Sequence, residues 1–356
     1  RMGRRNTFAT YGVNKLTLEK REKPVPRRIF LFVIIASVSI GAAPAQSPRV
    51  IWQRHVSSGP VDAIAFSPDG QLIAAGGEDG SVTLWRSSDG ASLGTVSSQY
   101  DAAVAVAFSP DGGLLATGGL DRFIRVIRMQ DLATLYTTGG GGFVESLSFS
   151  RDGRTLLGAL GYSTNELAGF RVSDGEMTSI IRDHWGTVWS VDHSRDGRYF
   201  LTSGADGQVI LYSSEGMRLA NFSGFSGDCV TSKFSPDSSL VAAAGEYDWM
   251  VKIYDVPGRQ TIKQLNVGHN FIHGVSFSSD GRYLAVAEQN YPNNGRIEVY
   301  RVSDGLRLGA YTEQTANSVG CIAFSPSGYI FAYGRSDGVL TLARLFPASP
   351  APRTPR

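Results

Sequence analysis

From Val50 to Leu345 the chain is written in short stretches whose apolar residues fall on every second position, separated by tight polar turns. Val61-Asp-Ala-Ile-Ala-Phe66 alternates in this way, Ser67-Pro-Asp-Gly70 turns, and Gln71-Leu-Ile-Ala-Ala75 runs back, a pattern that predicts a two-stranded hairpin. Pro68 presets the backbone at the second turn position, Asp69 offers a carboxylate to nearby N–H groups, and Gly70 accepts a positive φ. Glu78-Asp-Gly80 turns into a third stretch, Ser81-Val-Thr-Leu-Trp85, and Ser88-Asp-Gly90 turns into a fourth, Ala91 to Val96.

This unit recurs. Ser67, Ser109, Ser150, Ser194, Ser235, Ser278 and Ser325 each open a turn of Ser-Pro-Asp-Gly type, at intervals of 42, 41, 44, 41, 43 and 47 residues. A second register runs beside it, in which six residues separate Asp79 from Trp85, Asp121 from Ile127, Thr164 from Phe170, Asp206 from Tyr212, Asp248 from Tyr254, Asn294 from Tyr300 and Asp337 from Ala343. The turn carboxylate satisfies loop N–H groups and the ring fills space between neighbouring layers. A period of about 40 to 45 residues built from short strands predicts an all-β propeller with one four-stranded antiparallel blade per repeat. Seven repeats predict seven blades. Val50 to Arg54 has no hairpin partner before the first unit, and the last unit stops after its third strand, Val339 to Leu345. The N-terminal strand is therefore expected to pair into the last blade and close the ring.

These spacings resemble the WD-repeat family over Val50 to Leu345. The fourth repeat is nearest that pattern: His184, Ser203, Asp206 and Tyr212 stand where the family places a His–Ser/Thr–Asp–Trp hydrogen-bonded group, with Tyr for Trp. The resemblance implies a structural clamp there rather than a hydrolytic triad. Elsewhere the Ser203 position is mostly glycine, at Gly76, Gly118, Gly245 and Gly334, so the full group is expected in the fourth repeat alone. It also implies that loops joining fourth to first strands, and second to third strands, share one rim. Those loops carry Tyr100, Asp101, Trp185, Phe225, Tyr247, Trp249, Phe271 and Tyr291, the candidate binding residues. Aromatic anchors in polar surroundings suit recognition of a protein or peptide, so the expected function is a non-enzymatic, monomeric protein-interaction scaffold. The alternative is a lactonase-type propeller enzyme, because such turns also occur in those propellers. It requires Asp62, Glu145, Asp192, His193 and His273 of the first strands to converge on one pocket in the central channel.

Charge changes the picture at the N-terminus. The whole chain carries +2, but residues 1–45 hold nine of the 34 Lys+Arg and two of the 32 Asp+Glu, leaving 25 against 30, a net of −5, for residues 46–356. Arg27-Arg28, an apolar run from Ile29 to Ile40, and the small residues Ala43-Pro44-Ala45 follow in the order of an export signal. The expectation is an exported, bacterial-type member cleaved after Ala45, periplasmic or extracellular. The run is shorter than the roughly 20 residues of a spanning helix, which leaves an uncleaved anchor over residues 29–43 as the alternative. Residues 46–346 are then the propeller, and 347–356, with four prolines and no apolar run, a disordered tail.

Little points to cofactor chemistry. His269 and His273 are four apart on a loop entering a strand without a third ligand nearby, so no metal is expected. Gly139 to Gly142 lacks the helix start and lysine of a phosphate cradle. The folded part has no basic stripe for nucleic acid. Cys229 and Cys321 fall on first strands of different blades, beyond the ~7 Å that a disulfide bridges, and are expected as thiols.

Overall fold

The computed structural model describes residues 48–345 apart from 163, 223, 269–270, 291–293 and 314–316. The export segment, the tail and Tyr291 lie outside the described residues. Within them every regular element is a strand, and the strands form seven four-stranded antiparallel sheets, the blades of a propeller. Blade one consists of Val61–Phe66, Leu72–Gly77, Ser81–Arg86 and Ser92–Ser98, in spatial as in chain order. The next five blades repeat that order, and blade seven joins Val319–Phe324, Ile330–Arg335 and Val339–Arg344 to the N-terminal strand Arg49–His55.

Ring closure follows the expected register, with Gln53 opposite Thr341 and His55 opposite Val339. Trp52, on that closing strand, packs with Trp85, Val61, Leu340 and Leu342 across the seam between the last and first blades. Two buried indoles at one seam represent several kcal/mol of apolar burial, on the order of 2–3 kcal/mol each. The Trp85 ring is kept polar-satisfied by its Nε1, which donates to Thr83 Oγ1 at 2.9 Å.

First strands crowd around the axis, where their twist splays neighbouring backbones too far for a continuous ladder, and side chains make the links. Ser190 Oγ lies 3.3 Å from the Ser232 carbonyl, Asp192 Oδ2 accepts the Phe234 N–H at 2.9 Å, and Ser276 Oγ accepts that of Phe324 at 2.9 Å. The two thiols are free, on the first strands of blades five and seven, with burial raising both.

Candidate functional site

Each blade presents two sets of turns. Second-to-third-strand turns and the loops leading from one blade into the next lie together on one face, the upper rim. The Ser-Pro-Asp-Gly hairpins and the third-to-fourth-strand turns lie on the opposite, lower rim.

A carboxylate in the second-to-third turn shapes the upper rim by catching the backbone of the incoming loop. Asp79 accepts the Ser58 N–H at 2.8 Å, Asp121 that of Tyr100 at 3.1 Å, Asp206 that of Trp185 at 3.2 Å and Asp248 that of Ser226 at 2.7 Å. Asp337 accepts instead from the Asn317 side-chain amide at 2.7 Å. Burial pushes the Asp79 carboxyl up, but bonds from Ser81, Ser58 and Ser57 outweigh it and hold the group well below the usual range.

In blade four His184 completes this device. Its Nδ1 lies 2.9 Å from Asp206 Oδ1 and its Nε2 lies 2.8 Å from Thr202 Oγ1. A carboxylate facing Nδ1 makes that nitrogen the donor, so Nε2 accepts from the threonine hydroxyl. The hydroxyl partner is thus Thr202 and not Ser203, a correction with a simple cause. Successive strand residues point to opposite faces; Thr202 faces the Phe200–Tyr212 side, whereas the Ser203 hydroxyl turns to blade five and meets Ser232 Oγ at 3.1 Å. Tyr212 is buried, stacked 4.8 Å from Phe200, and its phenol donates to Asp183 at 3.2 Å. Blade two holds a related pair, Gln99 Nε2 donating to Thr117 Oγ1 at 2.9 Å, at the positions of His184 and Thr202. Tyr254, in blade five, is fully buried and stacks 4.6 Å from Phe222.

The candidate anchors divide. Tyr100 is 89% exposed, Trp185 76%, Tyr247 57% and Trp249 38%, all on the upper rim. Phe271 is half-buried and meets Tyr247 edge-on at 5.9 Å. Asp101 is exposed but accepts the Ala102 N–H at 2.8 Å, which gives it a loop-shaping bond. Phe225 is no surface residue: it is buried with Cys229, Phe234 and Tyr254. It stands four residues before its first strand, the inward-pointing position that His184 fills in blade four, and there it packs a core instead of a polar clamp.

The upper rim also carries aromatic residues that the sequence reading passed over. Tyr162 is as exposed as Trp185 and stacks 4.9 Å from Phe143, whose ring lies beneath the Arg122 guanidinium at 5.4 Å. Phe123 and Tyr100 share the Arg125 guanidinium, each with its ring 5.7 Å away. The aromatic belt therefore runs from blade two to blade six. Tyr162 follows the second strand of its blade, in the loop class already singled out, and that placement was the available signal.

Inside the belt lies the mouth of the axial channel. In six blades the pairing of first with second strand slips by one residue just after the first strand begins. The residues set loose are Asp62, Glu145, Trp189, Val230, His273 and Gly320, and a bulge re-aims such a residue away from the ladder. With Val104 they line a cavity of ≈ 180 Å³. Burial, with the charge of Glu78 adding, pushes Asp62 up to about 6, and burial pushes Glu145 up to about 7. Glu246 is raised by burial, opposed by His273 and reinforced by Asp228, whose carboxylate accepts the Trp189 indole N–H at 3.2 Å. Asp62, Glu78, Glu145, Asp228 and Glu246 gather carboxyls at the upper mouth, with Lys233 and His273 also on the channel wall, and carboxyls that burial holds partly protonated ionise more readily beside an incoming cation.

Three of the ionisable first-strand residues, Asp62, Glu145 and His273, thus share the channel. Asp192 and His193 sit at its lower end, where Asp192 bonds the Phe234 N–H and Lys233 Nζ at 3.3 Å. Burial pushes the His193 imidazole down to about 4, and its Nδ1 rests 3.0 Å from Ser148 Oγ. Among the described residues no hydroxyl or thiol bonds to the side chains of Asp62, Glu145 or His273; the last pairs with Gln289 Oε1 at 3.0 Å.

The model of the family described as WD domain, G-beta repeat, matches residues 46–86, 90–128, 175–213, 216–255 and 260–297, together more than half of the chain. Similar proteins include Transcription initiation factor TFIID subunit 5 of Caenorhabditis elegans, 26% identical over 209 residues that cover 58% of this chain and 31% of that protein. Jouberin of Mus musculus is 26% identical over 148 residues, 39% of this chain and 14% of its own. WD repeat-containing protein 1 of Gallus gallus is 28% identical over 199 residues, 51% of this chain and 30% of its own. The chain spans less than a third of the length of each.

Proposed function

The chain belongs to the WD domain, G-beta repeat family, and on that premise we propose that it is a non-enzymatic scaffold whose protein or peptide partner docks on the upper rim. One observation carries the reading. The exposed large aromatic side chains among the described residues, Tyr100, Phe123, Tyr162, Trp185, Tyr247 and Trp249, all stand on that rim, around an acidic mouth. Rigid rings contribute binding area at small entropic expense, and the carboxylates select a partner that offers a basic side chain to the mouth.

The test is affinity capture from an extract of the protein's own organism, followed by titration of whatever is captured. Replacing Tyr100 and Trp185 by Ala is expected to weaken that complex by about 2 kcal/mol or more, roughly thirtyfold. Unchanged affinity moves the site off the rim.

The scaffold acts as a monomer outside the cytoplasm, in the periplasm or beyond the cell, as a bacterial-type exported member. Support comes from Arg27-Arg28, the apolar run after it and Ala43-Pro44-Ala45. N-terminal sequencing of the native protein is expected to begin at Gln46; a cytoplasmic chain retaining residues 1–45 contradicts export.

A second reading, a lactonase-type hydrolase, draws on Asp62, Glu145 and His273 sharing the channel, with Glu145 near neutrality as general acid–base chemistry prefers. Lactone turnover that disappears in Glu145→Gln would replace the scaffold reading with this one.

A further inference from the structure

The repeat carries its own control experiment. At one cross-strand pair of every blade the third strand faces the fourth, and the pairs are Leu84–Gly94, Val126–Tyr136, Gly169–Ser179, Leu211–Ala220, Ile253–Lys263, Val299–Gly309 and Leu342–Trp52. Six third strands place a buried aliphatic side chain there, a wedge against the following blade. Blade three places Gly169, and its partner Ser179 is small as well. Leu157 restores some volume from the second strand, where five other blades have Ala74, Ala116, Ala242, Ala285 and Ala332. The deficit therefore lies further out.

A crevice of ≈ 700 Å³ opens at that place between blades three and four, toward the lower rim. Its floor is Leu157, Ile181 and Phe200. Elsewhere the blade before a third-to-fourth-strand turn fills the space beneath it: a Cβ on Gly90 would meet Trp52 at 2.8 Å, on Gly175 Tyr136 at 2.5 Å, and on Gly305 Leu265 and Lys263 at 2.9 Å. Gly216, the counterpart here, has only the tip of Ile181 at 3.7 Å. The walls supply hydroxyls and three carboxylates, Asp152, Asp196 and Glu215, against the single cation Arg151. Arg198, outside the crevice, takes one oxygen of Asp196 at 2.7 Å, and Glu215 has Ser214 Oγ at 2.8 Å.

We propose that this crevice is a second binding site, independent of the upper rim, for a small amphipathic amine: a flat apolar body on Leu157, Ile181 and Phe200, with its ammonium toward Glu215. The volume lies within the range of small-molecule sites, and the apolar floor with few polar wall groups is their usual make-up. The acidic excess on the walls sets the sign of the ligand.

Tryptamine and indole-3-propionate have the same ring and opposite charge, which makes them matched probes. Titrated into the intact propeller with methyl and aromatic NMR detection, tryptamine is expected to shift Leu157, Ile181 and Phe200 and to bind about tenfold more tightly than the anion. Gly169→Leu with Ser179→Ala rebuilds the Leu201, Leu211 and Ala220 trio of blade four, and the only close contact of a Cβ at position 169, the Ser179 hydroxyl at 2.4 Å, leaves with the second change. That variant is expected to lose tryptamine binding at least fivefold while its melting temperature rises by about 2–4 °C. Glu215→Lys, an exposed change that leaves packing alone, is expected to lose binding to a similar degree and decides the matter if the first variant does not fold. Equal affinity for both probes, shifts confined to the upper rim, or tryptamine affinity unchanged in the folded variants overturns the proposal. Failure here leaves the upper rim untouched, because the two sites report through different residues.

Discussion

The two rims of this propeller solve the turn problem in opposite ways. On the lower rim nearly every hairpin bonds to itself: Ser67 donates to Asp69 at 2.6 Å, Ser109 to Asp111 at 2.5 Å, Ser150 to Asp152 at 2.6 Å, Ser194 to Asp196 at 2.7 Å, Ser235 to Asp237 at 2.6 Å and Ser278 to Asp280 at 2.7 Å. Polar capacity is consumed locally. On the upper rim the acidic residue reaches across to the neighbouring loop, catching its backbone in four blades and a His184 or Asn317 side chain in two, while exposed rings such as Tyr100 and Trp185 remain outside. Regularity on one side makes the frame, and irregularity on the other supplies the variable surface.

Titration separates the turns of both rims from the channel between them, since the upper-rim Asp79 is lowered as the lower-rim carboxyls are. Side-chain and backbone bonds hold the lower-rim carboxyls of Asp69 and Asp111 below their ordinary range, so the stability they add is present above the unfolded value and is lost as pH falls. In the channel, burial raises Asp62 to about 6 and Glu145 to about 7, so their contribution is fully present below the unfolded value and is lost as pH rises toward neutrality.

The comparison breaks first if the blade seams do not carry the stability. Trp85→Ala, which empties the seam shared with Trp52 and leaves the Thr83 hydroxyl without its indole donor, is expected to cost about 3–5 kcal/mol in denaturant unfolding. A loss under about 1 kcal/mol would contradict the packing account. The next largest effect belongs to the clamp: Thr202→Val should cost about 1–3 kcal/mol, by stranding a buried His184 nitrogen. Ser203→Ala should cost less, and the reverse order would restore the serine to the clamp.

Asp62→Asn combined with Glu145→Gln sharpens the titration contrast. Its melting temperature should exceed that of the parent at pH 8 and match it at pH 4, since the carboxyls removed are the ones whose ionisation the fold resists. An equal change at both pH values would mean that packing, not ionisation, is at issue. The smallest stability effect is the one expected at the rim. Tyr100→Ala with Trp185→Ala should alter unfolding by less than about 0.5 kcal/mol for each change, as substitutions away from packed groups do.

Much of the frame was legible because it is written in spacing. The Ser-Pro-Asp-Gly interval, the six-residue step from Asp79 to Trp85 and the unpaired Val50 to Arg54 are one-dimensional facts that translate directly into blades and closure. What escaped depends on side-chain direction. Thr202 and Ser203 are adjacent in sequence and opposite in space. Phe225 looks like Trp185 in a loop, yet one points to a core and the other to water. The channel collar depends on bulges that add a residue to one strand, and alternation alone gives no sign of them. The missing wedge at Gly169 becomes visible only once third and fourth strands are paired across every blade.

The central claim is that recognition of a partner protein belongs to the upper rim and not to the lower. A photo-activated benzophenone side chain installed at Tyr100 or Trp185, and for comparison at Arg282, an exposed residue directly after the Ser278–Gly281 hairpin of the lower rim, tests it in the native host. The account predicts that both upper-rim positions cross-link the same discrete protein and that Arg282 does not. A partner joined equally well through Arg282, or through Arg282 alone, would contradict it.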